Sequence, residues 1–376
     1  MGPLPCEPCH AGQEPCAQTR LSDSTNMISI QNYKIGPAHP CFIIAEAGVN
    51  HNGDLALAHK LVDEAFRSGA DAVKFQTFHA ERLVAREAPK AEYQLQHTAH
   101  TESQFEMLRH LELSPQAHKE LMAHCKDIGL RFMSTPFDEV SADFLDELGL
   151  DIFKISSGEV TNLPFLAHVA RKGKPVILST GMCNLDEVAT AIQTMGNAGQ
   201  RDLILLHCVT NYPADPADCN LRAMQTMSDS FKLLTGWSDH TPGIEISLAA
   251  VALGACVIEK HFTLDRNLPG PDHQASLEPG ELREMVRAIR AVQSSLGDGV
   301  KRPAAGELVN RPVARRSLHW NRPLAAGMVI CADDLIALRP GTGIPPGKMP
   351  LVIGRKLARP VQAGEMVGQD QLEAVL

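Results

Sequence analysis

Two histidines in the second half of the chain each follow a short apolar run and lie in a polar cluster. His240 comes after the run Lys232–Thr235, and His261 comes after Ala255–Ile258. Both runs predict strands, and the segment between them predicts a helix. Because an α/β barrel gathers residues from successive strand ends at one face, the two imidazoles are candidate ligands of one metal ion. The alternative is that each histidine has a structural role.

The chemistry of such a site follows from its ligands. Two imidazoles together with water and substrate oxygens suit a borderline divalent ion such as Mn²⁺, Co²⁺ or Zn²⁺. With only two protein ligands, the ion would be exchangeable and would act as a Lewis acid on a carbonyl oxygen. Glu46, which follows another apolar run, is a candidate general base or an anchor for a sugar hydroxyl.

Two lysines and several small hydroxyl residues also stand at strand ends. Lys74 and Lys154 would supply point charges to an anionic ligand. Small hydroxyl residues beside glycine let backbone N–H groups approach an anion, and they occur at Ser157-Gly158, Ser179-Thr-Gly181 and Ser238. The alternative for each lysine is a structural ion pair with a carboxylate such as Glu46 or Glu159. No glycine-rich nucleotide motif is present in the sequence, so neither a dinucleotide nor ATP is indicated.

Eight apolar runs alternate with segments of helical period between residues 42 and 296. Strict alternation of strands and helices predicts a parallel sheet, and eight strands are the number that closes a (β/α)8 TIM barrel. An open doubly wound sheet is the alternative. The predicted strands are Phe42–Ala45, Ala72–Phe75, Arg131–Ser134, Ile152–Ile155, Pro175–Leu178, Leu203–Leu206, Lys232–Thr235 and Ala255–Ile258.

A second domain is predicted after the barrel. The barrel domain is expected over residues 27–296 and a linker rich in Gly, Pro, Lys and Arg over residues 297–314. Arg322–Leu335 then aligns with Arg359–Leu372, 37 residues further on, with six of fourteen positions identical. Two copies of a strand and a turn predict a small β-rich domain over residues 315–376.

Composition limits the classes of function. Residues 1–26 have no apolar periodicity and are expected to be a disordered extension. Within them, the segment from Cys6 to His10 has the spacing of a c-type haem site, but the pattern of an export signal, which such a site would need, is missing. The net charge of −9 argues against a nucleic-acid surface, and no apolar run is long enough for a transmembrane helix. Ten cysteines without disulfide spacing favour a reducing, cytoplasmic location.

Seven motifs along the chain carry a resemblance to a known family. They are Ile44-Ala-Glu-Ala-Gly-Val-Asn-His-Asn-Gly53, Val73-Lys-Phe-Gln-Thr77, Phe153-Lys-Ile-Ser-Ser-Gly-Glu159, Leu178-Ser-Thr-Gly-Met182, Trp237-Ser-Asp-His-Thr241, Glu259-Lys-His-Phe262 and Pro269-Gly-Pro-Asp-His273. Together they resemble the sialic acid synthase family, and the C-terminal repeat resembles its antifreeze-like (SAF) domain. Members condense phosphoenolpyruvate with an N-acylated mannosamine. The resemblance therefore implies a transferase that forms a carbon–carbon bond.

The resemblance also implies roles for individual residues. The metal, usually Mn²⁺ with Mg²⁺ or Co²⁺ as alternatives, would be held by His240 and His261. The carboxylate of phosphoenolpyruvate would be bound by Lys74, Thr135 and Lys154, and its phosphate by Ser157, Ser179, Thr210 and Ser238. The amino sugar or its open-chain aldehyde would be held by Glu46, Gln76, Tyr212 and Asp272. The candidate catalytic residues are Glu46, Glu159 and His261.

One further role involves a second copy of the chain. Arg339 matches the SAF-domain arginine that, in the resembled family, reaches the sugar pocket of the partner subunit. The resemblance therefore implies a domain-exchanged homodimer. No nucleic-acid or membrane partner is expected.

The implied reaction uses N-acetylmannosamine and gives N-acetylneuraminate and phosphate by cleavage of the C–O bond of phosphoenolpyruvate. One alternative is an N,N′-diacetyllegionaminate synthase, which uses 2,4-diacetamido-2,4,6-trideoxymannose; another is a pseudaminate synthase. The long, charged insertion Phe78–Glu112 and the segment Cys208–Pro213 are expected to contact positions 4 and 6 of the sugar. Two other classes remain, a binding protein without turnover and a different phosphoenolpyruvate-using barrel synthase. The Glu, Lys and His positions argue against the first, and the C-terminal repeat argues against the second.

Replacing His240 or His261 with Ala is expected to abolish metal-dependent turnover, because one remaining imidazole would not hold the ion. Turnover is measured as phosphate release with and without a chelator. Full activity of either variant in the presence of the chelator would show that the two histidines hold no catalytic metal.

Overall fold

The computed structural model describes residues 27–31, 33–90, 95 and 102–373. The predicted extension over residues 1–26, with its haem-like spacing, and part of the predicted insertion lie outside the described residues. The chain divides into two compact units, with the boundary between Gly297 and Asp298. A search of the described residues finds no helix of the length and apolar character that crossing a membrane requires.

Eight parallel strands form the centre of the first unit, and a two-stranded hairpin precedes them. The hairpin pairs β1 (Ile28–Ile30) with β2 (Tyr33–Ile35). The parallel strands are β3 (Phe42–Gly48), β4 (Ala72–Thr77), β5 (Arg131–Pro136), β6 (Phe153–Ile155), β7 (Val176–Ser179), β8 (Leu203–Cys208), β9 (Leu234–Asp239) and β10 (Val257–His261). They are hydrogen-bonded in the order β5-β4-β3-β10-β9-β8-β7-β6, so the last strand pairs with the first. The sheet is a TIM barrel, which confirms the predicted fold class.

Helices connect successive strands and pack around the barrel. Their apolar faces meet the outward-facing strand residues in the main core. Asp54 and Asn184 accept hydrogen bonds from backbone N–H groups at the starts of two of these helices, which satisfies donors that a helix start leaves unpaired. The helices of this unit include Leu55–Arg67, Ala80–Leu83, Gln104–His110, Pro115–Ile128, Glu139–Leu148, Leu163–Ala170, Leu185–Asn197, Ala223–Phe231, Glu245–Ala252 and Pro279–Leu296.

The barrel interior contains a second apolar core near the N-terminal ends of the strands. It includes the first residues of several strands, such as Phe42 and Val257. Ile28, Ile30 and Ile35 join this core, so the hairpin closes the N-terminal end of the barrel. The sequence did not predict this hairpin, because two three-residue strands are too short to give a periodic signal.

Several strands extend further at their C-terminal ends than the sequence predicts. The structure ends β9 at Asp239 rather than Thr235, and β10 at His261 rather than Ile258. Most of the added residues are polar, and polar residues weaken the sequence signal for a strand. Inside a barrel, however, every second residue points into the lumen, where polar side chains can satisfy one another. Ser238 and His261 therefore lie on the strands themselves instead of on the loops that follow them.

The second unit contains a helix and an antiparallel pair of strands. The helix Ala305–Ala314 lies within the segment predicted as a linker, and it is followed by β11 (Ser317–Trp320) and β12 (Leu335–Leu338). The sequence repeat recurs in the strand pairing. Trp320 pairs with Leu335, and the residues 37 positions later, Leu357 and Leu372, pair in the same way.

Replacing Gly236 with Ala is expected to destabilise the barrel by about 2 kcal/mol or more, because overpacking a core forces its neighbours to move. A side-chain carbon at this position would lie 2.4 Å from the carbonyl oxygen of Val257 and 2.7 Å from a methyl carbon of Leu206. The control is Gly196→Ala in the helix Leu185–Asn197, where an added side-chain carbon would meet no atom of another described residue within 4 Å. It should stabilise the chain by about 0.5–1 kcal/mol. Thermal unfolding measures both effects, and equal melting temperatures for the two variants would contradict this packing.

Candidate active site

A cavity of about 370 Å³ opens at the C-terminal ends of the barrel strands. All eight parallel strands, or the loops directly after them, contribute side chains to it. The predicted site residues that line it are Glu46, Lys74, Gln76, Thr135, Lys154, Ser157, Ser179, Thr210, Tyr212, Ser238, His240, His261 and Asp272. The fold therefore brings together residues from one end of the first unit to the other.

Two predicted residues do not line this cavity. Glu159 is half-buried, and its carboxylate accepts a hydrogen bond from Asn162 Nδ2 at 2.8 Å. Arg339 belongs to the second unit, where its Nε donates to the carbonyl oxygen of Ala314 at 3.1 Å. The catalytic role of Glu159 and the intersubunit role of Arg339 stay predictions.

The two buried lysines each lie beside a carboxylate. Lys74 Nζ lies 2.9 Å from Glu46 Oε2 and 3.5 Å from Glu259 Oε2, and it donates to Thr135 Oγ1 at 2.9 Å. Lys154 Nζ lies 3.3 Å from Glu259 Oε1. Two ammonium groups and two carboxylates thus share one buried site, where each charge offsets the desolvation of the others.

Glu259 is the site residue that sequence reasoning did not assign. It is buried, contacts both lysines and accepts a hydrogen bond from Ser238 Oγ at 2.9 Å. The sequence predicts Glu46 or Glu159 as the counter-charges, and the structure pairs Lys154 with Glu259 rather than with Glu159. The sequence did contain a signal for this role. Glu259 stands two positions before His261 in one strand, so the two side chains point to the same side of the sheet.

The four charged groups affect one another's protonation. Burial raises the pKa of Glu46 above its usual range, although the charge of Lys74 pulls it down. Burial would also raise the pKa of Glu259, but Lys154 and Lys74 together bring it below its usual range. Burial lowers the pKa of Lys154. Glu259 is therefore the permanent anion of the group, and Glu46 is the carboxyl that can take up a proton.

Hydroxyl groups from neighbouring strand ends surround Gly181. Its N–H donates to Ser157 Oγ at 2.8 Å, and a side-chain carbon on it would lie 2.2 Å from Thr210 Oγ1. Ser179 Oγ and Thr210 Oγ1 are buried and have no hydrogen-bond partner among the described residues. Because a buried polar atom without a partner is unfavourable, these hydroxyls indicate a polar ligand. Lys154 lines the same cavity, and its positive charge favours an anion.

His240 and His261 face one another with ring centroids 5.5 Å apart. His240 Nδ1 lies 2.6 Å from the carbonyl oxygen of Val209, which orients the ring and leaves Nε2 for a ligand. His261 Nδ1 is buried without a hydrogen-bond partner in the part of the chain that the structure describes, and Asp272 Oδ2 lies 3.7 Å away. Burial lowers the pKa of His240 to about 4 and that of His261 well below its usual value. Both rings are therefore neutral, the form that binds a metal ion.

These donors fit a divalent ion that has two protein ligands. Among the described residues, no group of three His, Cys, Asp or Glu side chains is arranged to hold a metal. Water and substrate oxygens would therefore complete the coordination, as the sequence predicts. The Tyr212 ring covers the pair, with its centroid 4.1 Å from that of His240 and 5.6 Å from that of His261.

A second buried ion pair orients the strands that carry the histidines. Lys260 Nζ lies 3.1 Å from Asp239 Oδ2, and both side chains are fully buried. Asp239 also accepts hydrogen bonds from the backbone N–H and the hydroxyl of Thr241. Because Asp239 and Lys260 alternate with inward-pointing residues, the pair lies on the outer side of the barrel. It ties β9 to β10 and holds the turn that contains His240.

Replacing Ser179 with Ala is expected to leave the melting temperature almost unchanged, since its hydroxyl has no hydrogen-bond partner to lose among the described residues. It should weaken the binding of inorganic phosphate at least about ten-fold, because a hydrogen bond to a charged group is lost. Titration calorimetry measures the affinity. The control is Ser141→Ala, which removes a buried 2.7 Å hydrogen bond to Asp138 and should lower the melting temperature but not the phosphate affinity. Unchanged phosphate binding by the Ser179 variant would exclude this hydroxyl from the anion site.

Comparison with known proteins identifies the family. The NeuB family model matches residues 61–301, and the SAF domain model matches residues 315–373. The N,N′-diacetyllegionaminic acid synthase of Legionella pneumophila is 51% identical over 343 residues, which cover 90% of this chain and 96% of that protein. The enzyme of the same name from Campylobacter jejuni is 50% identical over 327 residues, 86% of this chain and 98% of that protein.

A solved structure with the same architecture is that of N-acetylneuraminic acid synthetase from Leptospira borgpetersenii. It aligns with a TM-score of 0.68 and 37% identity, over 76% of this chain and 94% of that chain. The predicted resemblance is thereby confirmed, and the second unit carries the SAF domain. The protein is an enzyme, a transferase that forms a carbon–carbon bond, and it belongs to the NeuB family of nonulosonic acid synthases.

Proposed function

We propose that the protein condenses phosphoenolpyruvate with 2,4-diacetamido-2,4,6-trideoxymannose and water, giving N,N′-diacetyllegionaminate and phosphate. The observation that carries the proposal is the division of the cavity. The buried lysines and the hydroxyls without a hydrogen-bond partner among the described residues lie at β4 and at β6 to β8, whereas the two neutral histidines lie at β9 and β10. The first set suits an anionic substrate, and the second suits an aldehyde activated by a metal ion.

The anion half would hold phosphoenolpyruvate. Its carboxylate would lie against Lys74, Thr135 and Lys154, and its phosphate against Ser157, Ser179, Thr210 and Ser238. Carbon 3 then attacks the aldehyde carbon of the sugar, water adds to carbon 2, and phosphate leaves with cleavage of the C–O bond. Carbon 2 becomes positive during the attack, and the fixed negative charge of Glu259, which contacts both lysines, would stabilise it without rearrangement of the site.

The sugar half would hold the open-chain aldehyde. A divalent ion bound by His240 and His261, Mn²⁺ by family resemblance, would polarise the aldehyde oxygen. Glu46 accepts a hydrogen bond from Gln76 Nε2 at 3.2 Å, and its raised pKa lets it exchange a proton with a sugar oxygen near neutral pH. Tyr212 and Asp272 line the cavity beside the histidines, where they would contact the same sugar.

The choice of sugar follows from the relatives. The sequence by itself favours N-acetylmannosamine, with the diacetamido sugar as the alternative. The relatives that are 51% and 50% identical are diacetyllegionaminic acid synthases, whereas the aligned N-acetylneuraminic acid synthetase is 37% identical. This difference supports the alternative better than the first expectation, and N-acetylmannosamine becomes the second candidate.

The proposal includes a dimer. In a domain-exchanged arrangement, the partner subunit's Arg339 would reach the sugar half of the cavity and complete it. Arg339 is an exposed side chain of the SAF domain, and a guanidinium can donate to the carbonyl oxygen of an acetamido group.

Phosphate release from phosphoenolpyruvate and Mn²⁺ with each sugar, followed by mass spectrometry of the product, tests the proposed reaction. The expected result is a kcat/KM for the diacetamido sugar at least about ten-fold above that for N-acetylmannosamine. Phosphoenolpyruvate labelled with ¹⁸O at the bridging oxygen should transfer the label to phosphate, since the C–O bond breaks. A preference for N-acetylmannosamine would overturn the choice of sugar, and no release with either sugar would overturn the reaction.

A further inference from the structure

One side of the cavity is apolar, in contrast to the charged and hydroxylated strand ends. Five residues of the segment between β4 and β5 line it: Leu83, Val84, Met107, Leu108 and Leu111. We call this set the apolar wall. Gln104 is the polar residue that the described part of this segment adds to the lining.

The apolar wall has its own support. Met107 and Leu111 are buried in a small core with Val49 and Phe78, and Leu83, Leu108 and Phe137 pack against it. Val49 follows β3 and Phe137 follows β5, so loops from both neighbouring strands hold the wall in place. A surface fixed in this way can discriminate between ligands, because it does not rearrange around the wrong one.

The strand order places the apolar wall in the sugar half of the site. It is anchored on the loops after β3, β4 and β5, and Glu46 and Gln76 point into the cavity from β3 and β4. The four hydroxyls proposed to bind the phosphate come from the ends of β6 to β9, on the other side of the barrel, and the proposed carboxylate ligands Lys74 and Thr135 lie at β4 and β5. A sugar held by Glu46 and Gln76 would therefore lie against the wall.

The two candidate sugars differ in what they present to such a surface. N-acetylmannosamine carries hydroxyl groups at carbons 4 and 6, and each would lose water without gaining a partner on an apolar surface. The 2,4-diacetamido-2,4,6-trideoxy sugar carries a methyl group at carbon 6 and an acetamido methyl on the nitrogen at carbon 4. Burying those methyl groups against leucine, valine and methionine is favourable.

We infer that the apolar wall is the specificity-determining surface for the sugar, with Leu108 and Val84 contacting the carbon-6 methyl and the carbon-4 acetamido methyl. The inference rests on the proposed function, since it concerns the second substrate of that reaction. It assigns selection of the sugar to residues other than those proposed to bind the anion or the metal.

The test compares kcat/KM for the two sugars in one preparation of each variant, with phosphoenolpyruvate and Mn²⁺. The ratio of the two values does not depend on the folded fraction, so a partly destabilised variant still reports specificity. Leu108→Gln places an amide where the wall is apolar, and it should shift the ratio toward N-acetylmannosamine by about ten-fold or more. Val84→Thr keeps the size of the side chain, adds a hydroxyl and should shift the ratio in the same direction.

Leu113→Gln is the matched control. Leu113 is a partly buried leucine of the same segment that packs on the main core and does not line the cavity. Its substitution should lower the melting temperature and leave the ratio unchanged. An unchanged kcat/KM ratio in both wall variants, or an equal shift of the ratio in the control, would overturn the inference. Phosphate release by the unaltered enzyme would still support the proposed reaction in that case. Absence of release by the unaltered enzyme with both sugars would instead refute the proposed function.

Discussion

The buried pairing of two lysines with two glutamates is the constraint on which the active-site end of the barrel depends. A lone ammonium in this interior would carry a desolvation penalty of several kcal/mol or lose its proton. The partners come from different strands: Lys74 on β4 with Glu46 on β3, and Lys154 on β6 with Glu259 on β10. The charges therefore hold strands together across the lumen, and they keep the ammonium groups in position before an anionic substrate arrives.

The same strands build two different interiors. Near their N-terminal ends, inward side chains such as Phe42 and Val257 form an apolar core that the hairpin β1–β2 closes. Near their C-terminal ends, the inward side chains are charged or carry hydroxyls. Stability and chemistry are thus separated along the barrel axis, and the residues of the reaction can be polar because the apolar half provides the burial that holds the fold.

Around the barrel, the site is divided by strand order. The groups proposed to bind the anion lie at β4 to β9, and the histidines lie at β9 and β10. The groups proposed to hold the sugar lie at β3 and β4 beside the apolar wall, with Tyr212 after β8 and Asp272 after β10. Because β9 and β10 lie between β8 and β3 in the sheet, the histidines lie between the proposed phosphate ligands of β6 to β8 and Glu46 of β3. This order would bring the aldehyde carbon of one substrate toward the reactive carbon of the other without requiring the barrel to move.

The sequence by itself determined the number and order of the barrel strands and the repeat of the second unit, since alternation of elements and internal repeats are patterns along the chain. Together with the family resemblance, it also predicted most of the polar residues that line the cavity. It predicted the ends of β9 and β10 too early and did not assign Glu259, because polar residues weaken a strand signal that depends on apolar runs. Only the tertiary structure decided which carboxylate faces which lysine and which residues form the apolar wall. Those pairings depend on distances across the barrel between side chains far apart in the chain, and no local pattern encodes such a distance.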